Sequence, residues 1–282
     1  MKKLFIYILL LMLPATAKPQ RVIFEKQDSA RIESILHSTD REGHRSAGEL
    51  LTSIANNFIG EKYVAGTLEQ GIEEPLYISS SRLDCTTFVE LVLAIAMTAD
   101  EGSTKFGDVC RNLETIRYRN GHNNGYSSRL HYISWWIADS AKMGIIEEIT
   151  TQISCERQML DLNFMSTHPD SYPLLKDNPE AIKEIEEQEM PFRNTETAYV
   201  PKEKVASTEA NKIKSGDIIA ITTSIPGLDV THIGFAHYHN GTLCLLHASS
   251  GKGEVIKETH PLYDYLAKNR RHTGIRVFRS CF

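Results

Sequence analysis

The segment that most constrains the fold runs from Ser81 to Ala96, because nearly every residue after Cys85 in it is apolar. A helix that is apolar on most sides has to be buried, so the segment predicts a central helix with other elements packed around it. Asp84 is a natural N-cap for this helix, although Thr87 and Glu90 spell an alternative capping box. Either start leaves the Cys85 thiol in the first helical turn or beside it.

The position of Cys85 favours a role as a nucleophile. The unpaired N–H groups and the dipole at a helix N-terminus favour negative charge, so we expect a lowered thiol pKa. The same N–H groups could hold a developing oxyanion. The alternative is a small apolar residue at the start of a core helix, which is the commonest fate of a free cysteine. Position alone does not decide between the two.

The N-terminal residues predict a secretory signal peptide. Two lysines follow Met1, an apolar run spans residues 4–13, and an A-x-A pattern ends at Ala17. We expect cleavage after Ala17, leaving residues 18–282 as one elaborated domain that is exported to the periplasm without a membrane anchor.

Composition narrows the partners. The formal net charge is −5 with both signs interspersed, which argues against nucleic acid as a partner. Five cysteines in an exported protein permit two disulfides and one free thiol. If Cys85 is the free one, the four that could pair, in an order the sequence leaves open, are Cys110, Cys155, Cys244 and Cys281. Their wide spacing lacks the C-x-x-C pattern of zinc sites, so we expect no metal site. We also expect no cofactor, and we expect the protein to be a monomer.

The rest of the chain predicts helices first and a sheet last. Apolar residues at helical spacing predict scaffold helices at Phe24–Ser38 and Ser46–Ile59. A long insertion from about 101 to 205 is mainly helical, with one strand predicted at Ile145–Ile153. In the last third, short β-rich runs surround a predicted helix at Pro261–Asn269. The candidate strands there are Asp217–Thr223, Val230–His239, Thr242–Ala248 and Gly274–Arg279.

The Asn240-Gly241 dipeptide predicts a β-hairpin between the second and third of these strands. A two-residue turn puts Gly234 opposite His247. Because side chains alternate between faces, His232 shares the face of Gly234 and His247. The two histidines become diagonal neighbours with Cβ atoms roughly 7 Å apart, within reach of an imidazole–imidazole hydrogen bond. The opposite face takes the other two histidines of the hairpin, His237 and His239.

The hairpin and the helix together predict a catalytic triad. Gly234 and Ala236 would let a helix approach the face that carries His232, so we expect the Cys85 helix to pack there. Thiol catalysis needs a nucleophile, a base and a third group that orients the base, and Cys85, His232 and His247 supply them. Zinc binding is the alternative for paired strand histidines, but a third ligand at suitable spacing is missing.

Arginine and aromatic residues within the insertion predict a wall for the substrate. Aromatic rings stack on sugars and arginine pairs with carboxylates, so we assign Arg129 and Tyr132 to a ligand wall that closes one end of the groove. Trp135 and Trp136 could join that wall, but we favour the core for them.

Five segments resemble the NlpC-type papain-like cell-wall hydrolases, and within them the exported N-acetylmuramoyl-L-alanine amidase-like branch. In the family's order they are Gly60-x-x-Tyr63-Val64-x-Gly66, Asp84-Cys85-Thr86-Thr87-Phe88-Val89-Glu90, Ser215-Gly216-Asp217-Ile218-Ile219, His232-Ile233-Gly234 and Leu246-His247-Ala248-Ser249-Ser250. The resemblance implies an α+β fold with a papain-like core, in which an antiparallel sheet packs on the nucleophile helix, and a large helical insertion. The insertion and the Cys-Thr pair, where many members have Cys-Ser, are departures from the small members.

The resemblance also implies the chemistry. Cys85 would attack an amide carbonyl, with His232 as base and His247 orienting it. The implied activity is hydrolysis of the N-acetylmuramoyl-L-alanine bond of peptidoglycan fragments through a thioester, in cell-wall turnover or recycling. The alternatives are a peptidase that cuts the stem peptide after D-glutamate, an acyltransferase, and a non-catalytic wall-binding protein. The residues expected to contact the muropeptide are Tyr63, Asp84, Arg129, His131 and Tyr132.

Overall fold

The computed structural model describes residues 21–41, 46–69, 73–206 and 212–282. The predicted signal peptide lies outside these ranges. Within them, no helix is both long enough and apolar enough to cross a bilayer. The helices are α1 (Lys26–Arg41), α2 (Ala47–Asn56), α3 (Cys85–Asp100), α4 (Phe106–Arg117), α5 (Ile133–Lys142), α6 (Thr150–Ile153), α7 (Phe164–Thr167), α8 (Pro179–Glu189) and α9 (Leu262–Ala267).

Most strands belong to one mixed sheet. The strands are β1 (Val22–Ile23), β2 (Lys62–Tyr63), β3 (Leu76–Tyr77), β4 (Arg82–Leu83), β5 (Ile146–Glu148), β6 (Arg157–Leu160), β7 (Thr195–Ala198), β8 (Val200–Pro201), β9 (Ile218–Thr223), β10 (Val230–His239), β11 (Thr242–Ser249), β12 (Glu254–Lys257) and β13 (His272–Ser280). The sheet order is β4-β2-β12-β11-β10-β9-β13-β5, and β8 also pairs with β13. Together with the helices, this sheet makes the α+β class that the sequence predicts.

Helix α3 is the central helix of the fold and begins where Asp84 predicts. The Asp84 carboxylate accepts a hydrogen bond from the Thr87 N–H at 2.8 Å, and the Thr87 hydroxyl accepts one from the Asp84 N–H at 2.9 Å. Glu90 is not part of a cap, because it forms a buried ion pair with Arg117 at 2.8 Å. The ten residues from Thr87 to Ala96 are all buried, as an apolar helix requires.

The β10–β11 hairpin has the predicted register. His239 lies opposite Thr242 and Phe235 opposite Leu246, which continues to Gly234 opposite His247. Gly234 is required there, because a Cβ atom at this position would lie 2.8 Å from the Cβ atom of His247. The hairpin therefore places its histidine pair as the turn chemistry predicts.

Helix α3 packs on the other face of β10 from the one we expected. Phe88 of α3 meets Phe235 edge to face at 5.8 Å between ring centroids, and Ile233 belongs to the same core. Ala236 packs into a separate core on the opposite face. The prediction was wrong because the large apolar side chains of β10 offer the buried helix more contact area than the small ones do. Cys85 therefore lies by the backbone of Ile233 and does not face the small residues of β10.

The insertion is built into the sheet. Strands β5 and β8 both pair with β13, so this part of the chain extends the sheet beyond the predicted strands. The strand predicted at Ile145–Ile153 is correct only for its first half, since Thr150–Ile153 is helical. The Thr150 hydroxyl, which hydrogen-bonds the N–H of Val277, ties that turn to the sheet.

Candidate active site

His232 and His247 form a directly bonded pair. The Nε2 atom of His232 lies 2.5 Å from Nδ1 of His247, and the two rings are perpendicular. Both side chains are buried. The Nδ1 atom of His232 has no hydrogen-bond partner among the described residues, so this nitrogen is available to another group.

The Cys85 thiol lies against β10, the strand that carries His232. It is partly buried as the first residue of α3, and backbone groups of Ile233 and Thr86 are close enough to lower its pKa. Burial, followed by the nearby Asp84 carboxylate, outweighs them and raises the pKa of the Cys85 thiol to about 11. The lowered pKa expected from the helix N-terminus was wrong for the resting site, because desolvation of the thiolate is the larger effect.

Two tyrosines flank the thiol, and the sequence indicated only one of them. Tyr63 of β2 and Tyr265 of α9 each interact electrostatically with Cys85, and burial raises the pKa of both phenols to about 12. The Tyr265 ring lies 6.0 Å from the ring of His232 and 5.4 Å from that of His247. Both hydroxyls remain protonated at neutral pH and can donate a hydrogen bond beside the thiol.

A cleft of about 700 Å³ opens beside the start of α3. Asp84, Thr86 and Glu90 of the nucleophile helix form one side of it. The other lining residues come mainly from the turn after β2 and from the insertion: Gly66, Leu68, Glu69, Arg129, Leu130, His131, Tyr132, Met165, Tyr172 and Leu228. Four of the five predicted substrate residues therefore share one cleft, and Tyr63 lies beside Cys85.

Arg129 is less available to a ligand carboxylate than expected. Its guanidinium contacts Glu69 at 2.5 Å and Glu74 at 3.4 Å, and it lies over the Tyr126 ring. The neighbouring His131 is neutral, because burial and the Arg129 charge hold its pKa well below the usual value. The ion pairs of Arg129 with Glu69 and Glu74 therefore stabilise the wall of the cleft.

The two tryptophans of the insertion lie in the core, as we favoured, and Tyr132 lies in the wall of the cleft. Trp135 and Trp136 are 1% exposed and do not line the cleft, which assigns them to the core. The Tyr132 hydroxyl donates to Glu189 at 2.7 Å and accepts from the Met165 N–H at 2.8 Å. These bonds hold the Tyr132 ring in the cleft wall.

Comparison with known proteins identifies the family. A family model described as AmiA-like, N-acetylmuramoyl-L-alanine amidase-like, matches residues 53–275, which is most of the chain. The chain belongs to this family. No match was found among curated proteins.

Three solved structures are similar to this chain, and one of them is named as an amidase. An N-acetylmuramoyl-L-alanine amidase from Bacteroides uniformis ATCC 8492 is 39% identical with a TM-score of 0.80, over 84% of this chain and 99% of that one. A Bacteroides fragilis protein named as a candidate xylanase is 44% identical with a TM-score of 0.77. The match covers 80% of this chain and 99% of that one. A Legionella pneumophila protein shares the fold, with 23% identity and a TM-score of 0.69. The match covers 91% of this chain and 95% of that one.

The site of this AmiA-like chain has no metal centre in the part that the structure describes, where no cluster of three or more metal-binding side chains occurs. All five cysteines fall within the described ranges, and each is a free thiol there. Burial lowers the pKa of His232 to about 3 and that of His247 to about 4, so both imidazoles are neutral at physiological pH.

Proposed function

We propose that the protein is a cysteine amidase that hydrolyses the N-acetylmuramoyl-L-alanine bond of peptidoglycan fragments during cell-wall turnover or recycling. The observation that carries the proposal is the Cys85 thiol at the start of α3, which lies by the backbone of Ile233 in β10, the residue next to His232. Tyr265 interacts with this thiol and lies 6.0 Å from the ring of His232, which is bonded to His247. The family and the Bacteroides uniformis amidase support the bond that is cut. A papain-like core of the NlpC type and export to the periplasm belong to the same proposal.

In the proposed mechanism, proton transfer accompanies the attack of sulfur. With the pKa of Cys85 raised to about 11 and that of His232 lowered to about 3, the thiol and the imidazole are both neutral at pH 7. His232 therefore takes the thiol proton on its free Nδ1 as sulfur attacks the amide carbonyl. His247 holds the ring through Nε2. A preformed thiolate–imidazolium pair is not needed.

Hydrogen-bond donors surround the position where negative charge would develop. The N–H groups of Cys85 and Thr86 in the first turn of α3 have no helical partner, whereas that of Thr87 is used by the Asp84 cap. The phenols of Tyr63 and Tyr265 flank the same sulfur. The collapsing intermediate passes the proton on His232 to the leaving nitrogen of L-alanine. Water, activated by the same imidazole, then hydrolyses the thioester.

The cleft carboxylates fit this activity better than glycoside hydrolysis. A glycosidase needs two carboxyl groups free to act as acid and as base or nucleophile. Here Glu90 is paired with Arg117, Glu69 with Arg129, and Asp84 is held in the helix cap. The name of the Bacteroides fragilis protein is therefore not matched by a free carboxylate pair in this cleft.

The test compares a sugar-bearing muropeptide, the free stem peptide and whole sacculi, with products identified by mass spectrometry. We expect release of a stem peptide with a free L-alanine amine from the muropeptide, and no product with the Cys85→Ala variant. Cleavage after D-glutamate would establish the peptidase alternative. Products from none of the three substrates would contradict an enzymatic role.

A further inference from the structure

A buried nitrogen behind the histidine pair lacks a partner. The Nε2 atom of His247 is enclosed and has no hydrogen bond among the described residues. The nearest opposite charge is the Glu258 carboxylate, whose Oε1 lies 3.7 Å away. The Glu258 side chain is only 16% exposed, so solvent screens this interaction weakly.

Glu258 is held in place by its backbone. Its N–H donates to the Leu245 carbonyl at 2.9 Å, which extends the β11–β12 pairing by one residue. Its carbonyl lies 2.8 Å from Nε2 of His237 on β10, the strand beyond β11. The other titratable groups close to the carboxylate are His260, at 3.9 Å, Tyr265 and Cys244. The charge is therefore fixed behind His247 by the fold and not by a flexible loop.

We propose that Glu258 is a positioning residue that sets the tautomers of both histidines. This inference rests on the proposed function of Cys85 and His232. A carboxylate at this place favours a proton on Nε2 of His247, which leaves Nδ1 of His247 as an acceptor. The 2.5 Å contact then requires that Nε2–H of His232 donates, so Nδ1 of His232 carries a lone pair.

That tautomer is the productive one. Only an unprotonated Nδ1 of His232 can accept the Cys85 proton, and the reverse tautomer would present an N–H to the thiol. During attack one proton moves from sulfur to Nδ1, and the imidazolium charge is shared through Nε2–H with His247 in front of the Glu258 carboxylate. An amide in place of the carboxylate could donate to Nε2 of His247 and stabilise the unproductive tautomer.

The experiment uses the full mature chain with Glu258→Gln, and Glu254→Gln as the matched control on the exposed end of β12. Nitrogen NMR of ¹⁵N-histidine protein reports which ring nitrogen carries the proton, with signals assigned by their loss in His232→Ala and His247→Ala. We expect an unprotonated Nδ1 on His232 in the wild type and in Glu254→Gln, and a protonated fraction in Glu258→Gln. We also expect kcat on the muropeptide to fall by about 100-fold in Glu258→Gln at an unchanged KM.

A protonated Nδ1 on His232 in the wild type would overturn the proposal, as would tautomers and kcat that Glu258→Gln leaves unchanged. Loss of kcat with unchanged tautomers and a raised KM would show a structural role only and would also overturn it. The NMR measurement needs no substrate. If the wild type proved inactive on muropeptides while Glu258 still set the tautomers, the amidase proposal would fail and the tautomer inference would stand.

Discussion

The thiol at the start of α3 is predicted to be essential for turnover and dispensable for folding. Cys85 is partly buried, so Cys85→Ala removes one atom from a side chain that is not fully enclosed. We expect no detectable hydrolysis and a change in the free energy of unfolding below about 1.5 kcal/mol. Cys155→Ala, at an exposed position, is the control and should keep wild-type kcat. Turnover by Cys85→Ala above that of a blank would remove the thiol from the mechanism.

The two histidines should differ in what their loss does. His232→Ala removes the base, and we expect kcat to fall by about 10²-fold to 10⁴-fold. His247→Asn keeps an amide oxygen that can accept the Nε2–H of His232, so part of the activity should survive. Steady-state kinetics on a purified muropeptide compares the two variants. Equal losses would mean that His247 does more than orient the ring.

The residues that the sequence missed are those that folding brings to the site from distant segments. Cys85, His232 and His247 could be predicted because a helix start and a hairpin turn fix their local geometry. Tyr265 reaches the histidine rings only because α9 packs back against β11 and β13, and this packing has no signal in the periodicity. Glu258 follows β12, a four-residue strand that was not predicted.

At the scale of elements, the close approach of β10 and β11 is predicted to hold the two histidines in contact. A Cβ atom added at Gly234 would lie 2.8 Å from the His247 Cβ and 3.0 Å from the Leu246 oxygen. Neither atom can move without disturbing the strand pairing. We expect Gly234→Ala to destabilise the fold by about 1–3 kcal/mol and to lower kcat by about tenfold, because His247 is displaced from His232.

The control for this prediction is Gly251→Ala in the turn after β11, where nothing lies within 4 Å of an added Cβ. Urea denaturation and kinetics are measured on both variants. Wild-type kcat in Gly234→Ala would show that the histidine pair tolerates displacement and would contradict the tight-packing argument.

Apart from β12, the strands and the helix of the last third were predictable to within about two residues, while the packing faces were not. The Asn240-Gly241 turn fixes the hairpin register, and β10 has the predicted bounds. The face of β10 on which α3 packs depends on whether Phe235 or the small residues offer the helix more contact area. That area depends on the packing of the whole core. The ion pairs of Arg129 with Glu69 and Glu74 could not be predicted either, because they join segments that are far apart in the chain.

For the whole molecule, the buried histidines are predicted to make folding sensitive to mild acid. The unfolded chain binds a proton on each histidine near pH 6.5, whereas burial lowers the pKa of His232 to about 3 and that of His247 to about 4 in the folded state. The unfolded state therefore gains protons first as pH falls. Above about pH 6.5 these two histidines do not lower the free energy of unfolding. Between about pH 6.5 and pH 4, each histidine lowers it by up to about 1.4 kcal/mol per pH unit.

Urea denaturation at pH 7.5, 6.5 and 5.5 tests this prediction. Carboxyl groups such as Asp229, whose pKa is raised by burial, act in the opposite direction, so the decisive quantity is the difference between wild type and His232→Ala. That difference should shrink as pH falls. A difference that is constant from pH 7.5 to 5.5 would contradict the lowered pKa of His232.

The place of β13 has a consequence for the order in which the chain can fold. This strand lies between β9 on one side and β5 and β8 on the other, and Ile275, Val277 and Phe278 are fully buried. It is also the last described element to be synthesised, so the earlier strands cannot close the sheet before it arrives. Such long-range pairing is slow to form. A chain built in this way completes the sheet that carries both histidines of the candidate site only once β13 has been made.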